Sequence, residues 1–157
     1  MILIDHIKGQ TRSLNFLFQA LENKRLPHGL LFCGPSGIGK FRVALALAQC
    51  LACEKPVGGK ACGACGSGIR IEKRQSEALI EVEPAGTQHK IEQIRELIQE
   101  LSLSMGARRR TVIIKEAHLM TAQSANALLK TLEEPPDNTF FVLLTPSLTS
   151  VLPTIRS

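Results

Sequence analysis

The sequence predicts an α/β domain built on a mostly parallel sheet, and three observations carry that prediction. Four short apolar runs are separated by segments with helical apolar spacing. The runs are continuous rather than alternating, as expected for strands covered by helices on both faces. A glycine-rich loop joins the first run directly to a helical segment. At 157 residues the chain suits one domain with a substantial core and is short for two.

In chain order, apolar residues at Leu14, Leu17 and Leu21 predict a first helix. A strand is expected over Gly29 to Cys33 (GLLFC), then the glycine loop, then a helix over Phe41 to Leu51. From Cys53 to Gly68 (CEKPVGGKACGACGSG) periodicity is lost and glycine and cysteine accumulate, so a loop that needs an outside constraint is expected. A second strand follows at Ala78 to Glu83 (ALIEVE), and Ile91, Ile94, Leu97, Ile98 and Leu101 mark another helix. The third strand is Thr111 to Ile114 (TVII). A helix is expected from Thr121 to Glu134, with Thr121 as its N-cap and Pro135-Pro136 as its stop, before a fourth strand at Thr139 to Leu144 (TFFVLL).

Composition narrows the function. Apolar residues make up 44% and charged residues 21%, and no apolar run approaches the roughly 18 residues that span a bilayer, so no membrane role is expected. The start, Met1-Ile2-Leu3-Ile4-Asp5, has no basic segment followed by an apolar stretch and a small-residue cleavage site, so a cytoplasmic location is expected. There the five cysteines read as thiols or metal ligands rather than disulfides. A formal charge of +5 permits contact with nucleic-acid backbone, but without Trp or Tyr there is little surface for stacking bases. Arg108-Arg109-Arg110 is either a solvated turn or a contact for DNA phosphate. His28, His89 and His118 have no metal-ligand spacing, and no nucleophile motif is present, so no catalytic residue is assigned.

The strongest motif is Gly34-Pro35-Ser36-Gly37-Ile38-Gly39-Lys40, a G-x-x-x-x-G-K phosphate loop between a strand and a helix. Gly34, Gly37 and Gly39 let backbone N–H groups face phosphate oxygens, and Lys40 neutralises the terminal phosphates. The next residue in a working site is Ser or Thr, whose hydroxyl binds magnesium; here it is Phe41, which has no donor or acceptor. The second metal-directed group is an aspartate after another core strand; here Lys115-Glu116 follow Thr111 to Ile114. Both metal contacts are lost, so magnesium is not expected. The Lys115 ammonium is expected near the cation's place, the alternative being a solvated charge at a strand end. Whether ATP, ADP or phosphate occupies the loop is left open.

With these residues in place, the sequence resembles the AAA+ clamp-loader family of bacterial DNA polymerase III, and within it the delta-prime branch. Gly9-Gln10, Leu26-Pro27-His28-Gly29-Leu30-Leu31-Phe32 and Ile94-Arg95-Glu96-Leu97 share in the likeness. Its most specific carrier is Asn126-Ala127-Leu128-Leu129-Lys130-Thr131-Leu132-Glu133-Glu134-Pro135-Pro136. The resemblance implies a three-layer AAA+ P-loop sandwich over residues 1–157, with a cysteine insert at about 53–68. ATPase-active members of the family end the loop in Lys-Thr and carry Asp-Glu. The departures at Phe41 and Lys115 therefore imply a subunit that does not hydrolyse ATP, the alternative being an active ATPase of the same complex. Thr145 matches the family's polar sensor position, unless its hydroxyl only caps the turn before Pro146. The implied partners are other clamp-loader subunits, with the sliding clamp and primer-template DNA met through the complex.

Ser157 matches the first residue of the family's Ser-Arg-Cys motif, so Arg156 is not the arginine finger; the resemblance places that finger, a fifth strand, a helical lid and a collar domain beyond Ser157. It also implies zinc, because such subunits carry a Cys-x8-Cys-x2-Cys-x2-Cys module whose first three positions match Cys53, Cys62 and Cys65. Gly68 stands at the fourth. Cys50, three residues before Cys53, is the candidate fourth ligand if both share a helix face, the alternative being a small buried hydrophobe. Cys33 is expected to be buried in the first strand. A more distant alternative is a zinc-dependent nucleic-acid-binding module.

Overall fold

The structure, a computed structural model, describes residues 11–35, 39–58, 60–103 and 109–146, the side chains of Thr11 and Ser13 excepted. Strands β1 (Gly29–Cys33), β2 (Leu79–Val82), β3 (Arg110–Ile114) and β4 (Thr139–Thr145) form a parallel sheet in the order β1-β4-β3-β2 among the described residues. Helices α1 (Thr11–Glu22), α2 (Lys40–Ala52), α3 (Gly66–Glu72), α4 (Ile91–Leu103) and α5 (Ala122–Glu133) accompany it, with a short 3-10 turn at Ala117–Leu119 before α5. Gly9-Gln10, Gly37, Arg108 and everything from Leu152 to Ser157 lie outside the described residues.

Side-chain alternation along β4 sets the layers. Phe140, Val142 and Leu144 join the core cluster of α1 and α2, containing Leu14, Leu17, Leu21, Leu47 and Leu51. Phe141 and Leu143 face the opposite cluster with Ile94, Leu97 and Leu101 of α4 and Leu128 of α5. Two helical layers thus cover one sheet, the predicted three-layer sandwich. Every residue of β3 and β4 is buried, whereas β1 and β2 are only partly so, as their edge positions require. Cys33, at the end of β1, is therefore exposed, contrary to expectation.

Two further expectations are corrected. Residues 66–68 do not belong to a loop but open α3, because Cys65 caps that helix: its Sγ accepts the Gly68 N–H. Two glycines in the first turn hid this helix from a propensity reading. Arg110 is neither a solvated turn residue nor a DNA contact. It is the first residue of β3, buried, with Nε donating to Thr139 Oγ1 at 2.9 Å and a terminal nitrogen donating to the Leu101 carbonyl at 2.6 Å. This ties the end of α4 to the start of two strands.

Replacing Arg110 by Met keeps the aliphatic stem but strands the Leu101 carbonyl, so a loss of roughly 1–3 kcal/mol is expected. Urea unfolding of the variant measures it, and an unchanged midpoint contradicts this role for Arg110.

Candidate functional site

A parallel sheet presents its strand C-termini along one rim, where ligands of open α/β folds bind. Gly34 follows β1, Glu83 follows β2, Lys115 follows β3, and Thr145 ends β4. The rim is thus assembled from four distant parts of the sequence.

Gly39 precedes α2 in the left-handed region, with φ 92° and ψ 20°. An added Cβ meets nothing within 4 Å there, so the demand for glycine is conformational, not steric. Lys40 is the first residue of α2, and its ammonium donates to the carbonyls of Gly34 and Thr145, the latter at 2.9 Å. The Thr145 carbonyl also accepts the Gly34 N–H at 3.2 Å. Thr145 is buried at the junction of β1, β4 and α2, where its backbone oxygen does visible work as the acceptor of both groups.

The two departures from a metal site meet. The Lys115 ammonium lies 4.3 Å from the centre of the Phe41 ring. It also pairs at 3.0 Å with a carboxylate oxygen of Glu81 and at 3.0 Å with one of Glu83. Arg74 makes a two-nitrogen contact with the Glu81 carboxylate, and its guanidinium sits 5.0 Å from the same ring. Arg74, and after burial's opposing effect Lys115, hold the Glu81 carboxyl below its ordinary range. With its side chain only 21% exposed and these three partners, Lys115 is not a freely solvated strand-end charge. Sequence reasoning missed Arg74, Glu81 and Glu83. The last two were accessible, because residues two apart in a strand share a face; Arg74 gave no signal.

His89 was also missed. It is fully buried, and its Nε2 donates to the carbonyls of Lys115 at 2.6 Å and Glu116 at 3.1 Å. That clamp holds a turn in which Glu116 adopts φ 51°, unusual for a residue with a side chain. The Glu116 carboxylate points to His118 at 3.6 Å and is about half exposed. His118 lies in the 3-10 turn that precedes α5. His28 is structural too: its Nδ1 lies 2.9 Å from the Thr139 carbonyl and its ring stacks on Phe140.

At the other end of α2, the Sγ atoms of Cys53, Cys62 and Cys65 all lie within 4.8 Å of one another. Cys62 N–H donates to Cys53 Sγ at 3.2 Å, and Lys60 lies over the Phe18 ring of α1, anchoring the loop. Backbone N–H groups of Ala64 and Cys65 lower the Cys62 thiol to about 7, whereas burial raises Cys53. Cys50 does not join this cluster. Cys53 already lies outside α2, in extended conformation at its C-cap, so the shared helix face that would have paired the two does not exist. Cys50 instead packs in the core with α1 and β4. The three remaining sulfurs suit zinc or another thiophilic ion, since closely grouped thiolates repel one another unless protonated or metal-bound.

Sheet order, helical layers, and a lysine at the first position of the helix after β1 define the class: a P-loop α/β domain of the AAA+ type. A solved structure agrees, that of a DNA polymerase III gamma subunit-related protein from Thermotoga maritima, which superposes with TM-score 0.61 at 24% identity over 94% of this chain and 43% of that one. The family model described as DNA polymerase III, delta subunit, matches residues 9–157, and the chain belongs to that family. It is 36% identical over 140 residues to DNA polymerase III subunit tau of Escherichia coli, covering 88% of this chain and 22% of that protein. It is 38% identical over 149 residues to DNA polymerase III subunit delta′ of Bacillus subtilis, covering 94% and 45%. The chain thus spans less than half the length of either relative.

Burial lowers the His89 pKa, so the unfolded chain binds a proton more readily than the folded one below the ordinary value of 6.5. Its contribution is full above that pH and is lost progressively as pH falls below it. Thermal midpoints of the wild type are expected to drop between pH 7 and 5.5 by more than those of His89→Gln, which keeps a donor but does not titrate. Parallel pH profiles for the two proteins refute the assignment.

Proposed function

We propose that the chain is the nucleotide-binding-type domain of a clamp-loader subunit that does not itself hydrolyse ATP, of the delta-prime kind. The observation that carries this is the 4.3 Å contact between the Lys115 ammonium and the Phe41 ring. In P-loop enzymes the two corresponding positions supply a hydroxyl and a carboxylate to magnesium. Here they supply a ring face and a fixed positive charge that attract each other. A magnesium ion placed between them would find no oxygen from either residue and would be repelled by the ammonium.

On this reading the P-loop serves as architecture. Lys40 ties the turn after β1 to the end of β4 through two carbonyls, linking the phosphate loop to the sensor-like position Thr145. The subunit acts in the cytoplasm on its neighbours, which supply ATP hydrolysis, and meets the sliding clamp and primer-template DNA within the assembled complex. An arginine finger of the whole protein, reaching a neighbour's site, would contribute about 10³ to 10⁵ in rate there. Zinc, held by Cys53, Cys62 and Cys65, is the proposed resident metal and ties the loop between α2 and α3 to the end of α2.

A second reading, an active ATPase of the same complex, is favoured by the retained Lys40 and Glu116 and by the identity with tau. The two separate in a turnover assay. The proposal predicts no magnesium-stimulated ATP hydrolysis by the purified full-length protein alone. It also predicts that neither Phe41→Thr nor Lys115→Asp singly creates any, because each supplies one metal contact while leaving the other lost. Magnesium-dependent turnover abolished by Lys40→Ala establishes the ATPase reading instead.

A further inference from the structure

Three cysteines converge, and glycine occupies the helical position that faces them. A Cβ built on Gly68 stands 3.5 Å from Cys65 Sγ, in ordinary contact, with its other near neighbours Gln49 Cγ at 3.6 Å and Gln49 Nε2 at 3.8 Å. These are ordinary van der Waals contacts with side chains, so a Cβ fits there without displacing them. The backbone still docks, since Gly68 N–H donates to Cys65 Sγ at 3.4 Å. The first turn of α3 thus approaches the sulfur cluster and brings no ligand atom of its own at residue 68.

We propose that Cys53, Cys62 and Cys65 hold zinc through three thiolates and that the fourth position, open at Gly68, takes an exchangeable external donor, a small thiolate. The proposal rests on the reading of this cluster as a zinc site and adds the open position. Four-coordinate zinc with sulfur at about 2.3 Å sets neighbouring sulfurs about 3.8 Å apart. The Cys53 and Cys65 sulfurs are already separated by 4.0 Å. Among the described residues, no further Cys, His, Asp or Glu joins the group.

Nearby polar groups have other engagements. Gln49 Nε2 donates to the Gly68 carbonyl at 3.3 Å, and the Glu54 carboxylate accepts from Ser67 Oγ at 2.9 Å. Cys50 belongs to the core. Cys62 and Cys65 are partly exposed, whereas Gly68 and Gln49 beside it are buried, so the sulfur cluster is met from the Cys62–Cys65 side and the open position has room only for a small donor. Structural zinc sites are closed by four protein ligands, and sites that bind a further molecule keep one position free. This cluster is of the second type by ligand count, without any catalytic role being implied.

Cobalt(II) substituted anaerobically into the full-length protein reads the ligand count directly, because thiolate-to-metal absorption grows with each sulfur bound. Wild-type protein is expected to show three-thiolate intensity that rises by about a third when 2-mercaptoethanol is added, as three sulfurs become four. Gly68→Cys is expected to begin at the four-thiolate intensity, to ignore added thiol, and to hold zinc at least about tenfold more tightly against a chromophoric chelator. Cys50→Ala is expected to match the wild-type spectrum. A wild-type spectrum already at four thiolates and unresponsive to 2-mercaptoethanol overturns the open position while leaving zinc binding intact. Failure to bind cobalt or zinc at all overturns both.

Discussion

The Lys115 ammonium is held between two carboxylates and an aromatic face, and the character of the whole rim depends on it. β3 is buried on both sides, so its end has little freedom, and His89 clamps the two carbonyls that follow. The side chain is delivered to the start of α2, where Phe41 meets it. Glu81 and Glu83 offset its charge, and Arg74 binds both oxygens of Glu81, sharing one of them with Lys115. Taken separately, a missing hydroxyl and a missing aspartate are two deletions. In space the two residues meet in one ammonium–ring contact, which on the proposed reading stands where two oxygens would flank a cation.

The fold was legible because β3 and β4 are continuous apolar runs and because the amphipathic spacing of α1 and α4 is regular. β1 matched its expected bounds, and Thr121 caps α5 as its position before the helix suggested, accepting from the Ser124 N–H. What escaped notice depended on contacts between distant residues. Arg110 reads as part of a basic run, yet its guanidinium turns inward to Thr139, 29 residues away. The capping role of Cys65 opens a helix whose first turn contains Gly66 and Gly68, residues that alone argue for a loop.

The candidate site divides in the same way. The positions of Lys40, Phe41 and Lys115 followed from a motif and its spacing, and the structure brings all three to one rim. Their partners did not follow, since an ion-pair network across β2, β3 and the segment after α3 leaves no periodic trace in sequence. Cys50 illustrates the opposite error. Spacing of three residues promised a shared helix face, but the helix ends one residue before Cys53, and a single change of backbone conformation separates the two thiols.

If a built-in ammonium takes the place of the metal, nucleotide binding and magnesium must be uncoupled. Titration of ADP into the full-length protein, with magnesium and then with excess chelator, measures this most directly. Dissociation constants that agree within about twofold under the two conditions are expected, because neither Phe41 nor Lys115 offers the cation an oxygen in place of its water. At least tenfold tighter binding with magnesium, lost on Glu81→Gln or Glu83→Gln, would show that these carboxylates serve a metal and not Lys115, contradicting the account.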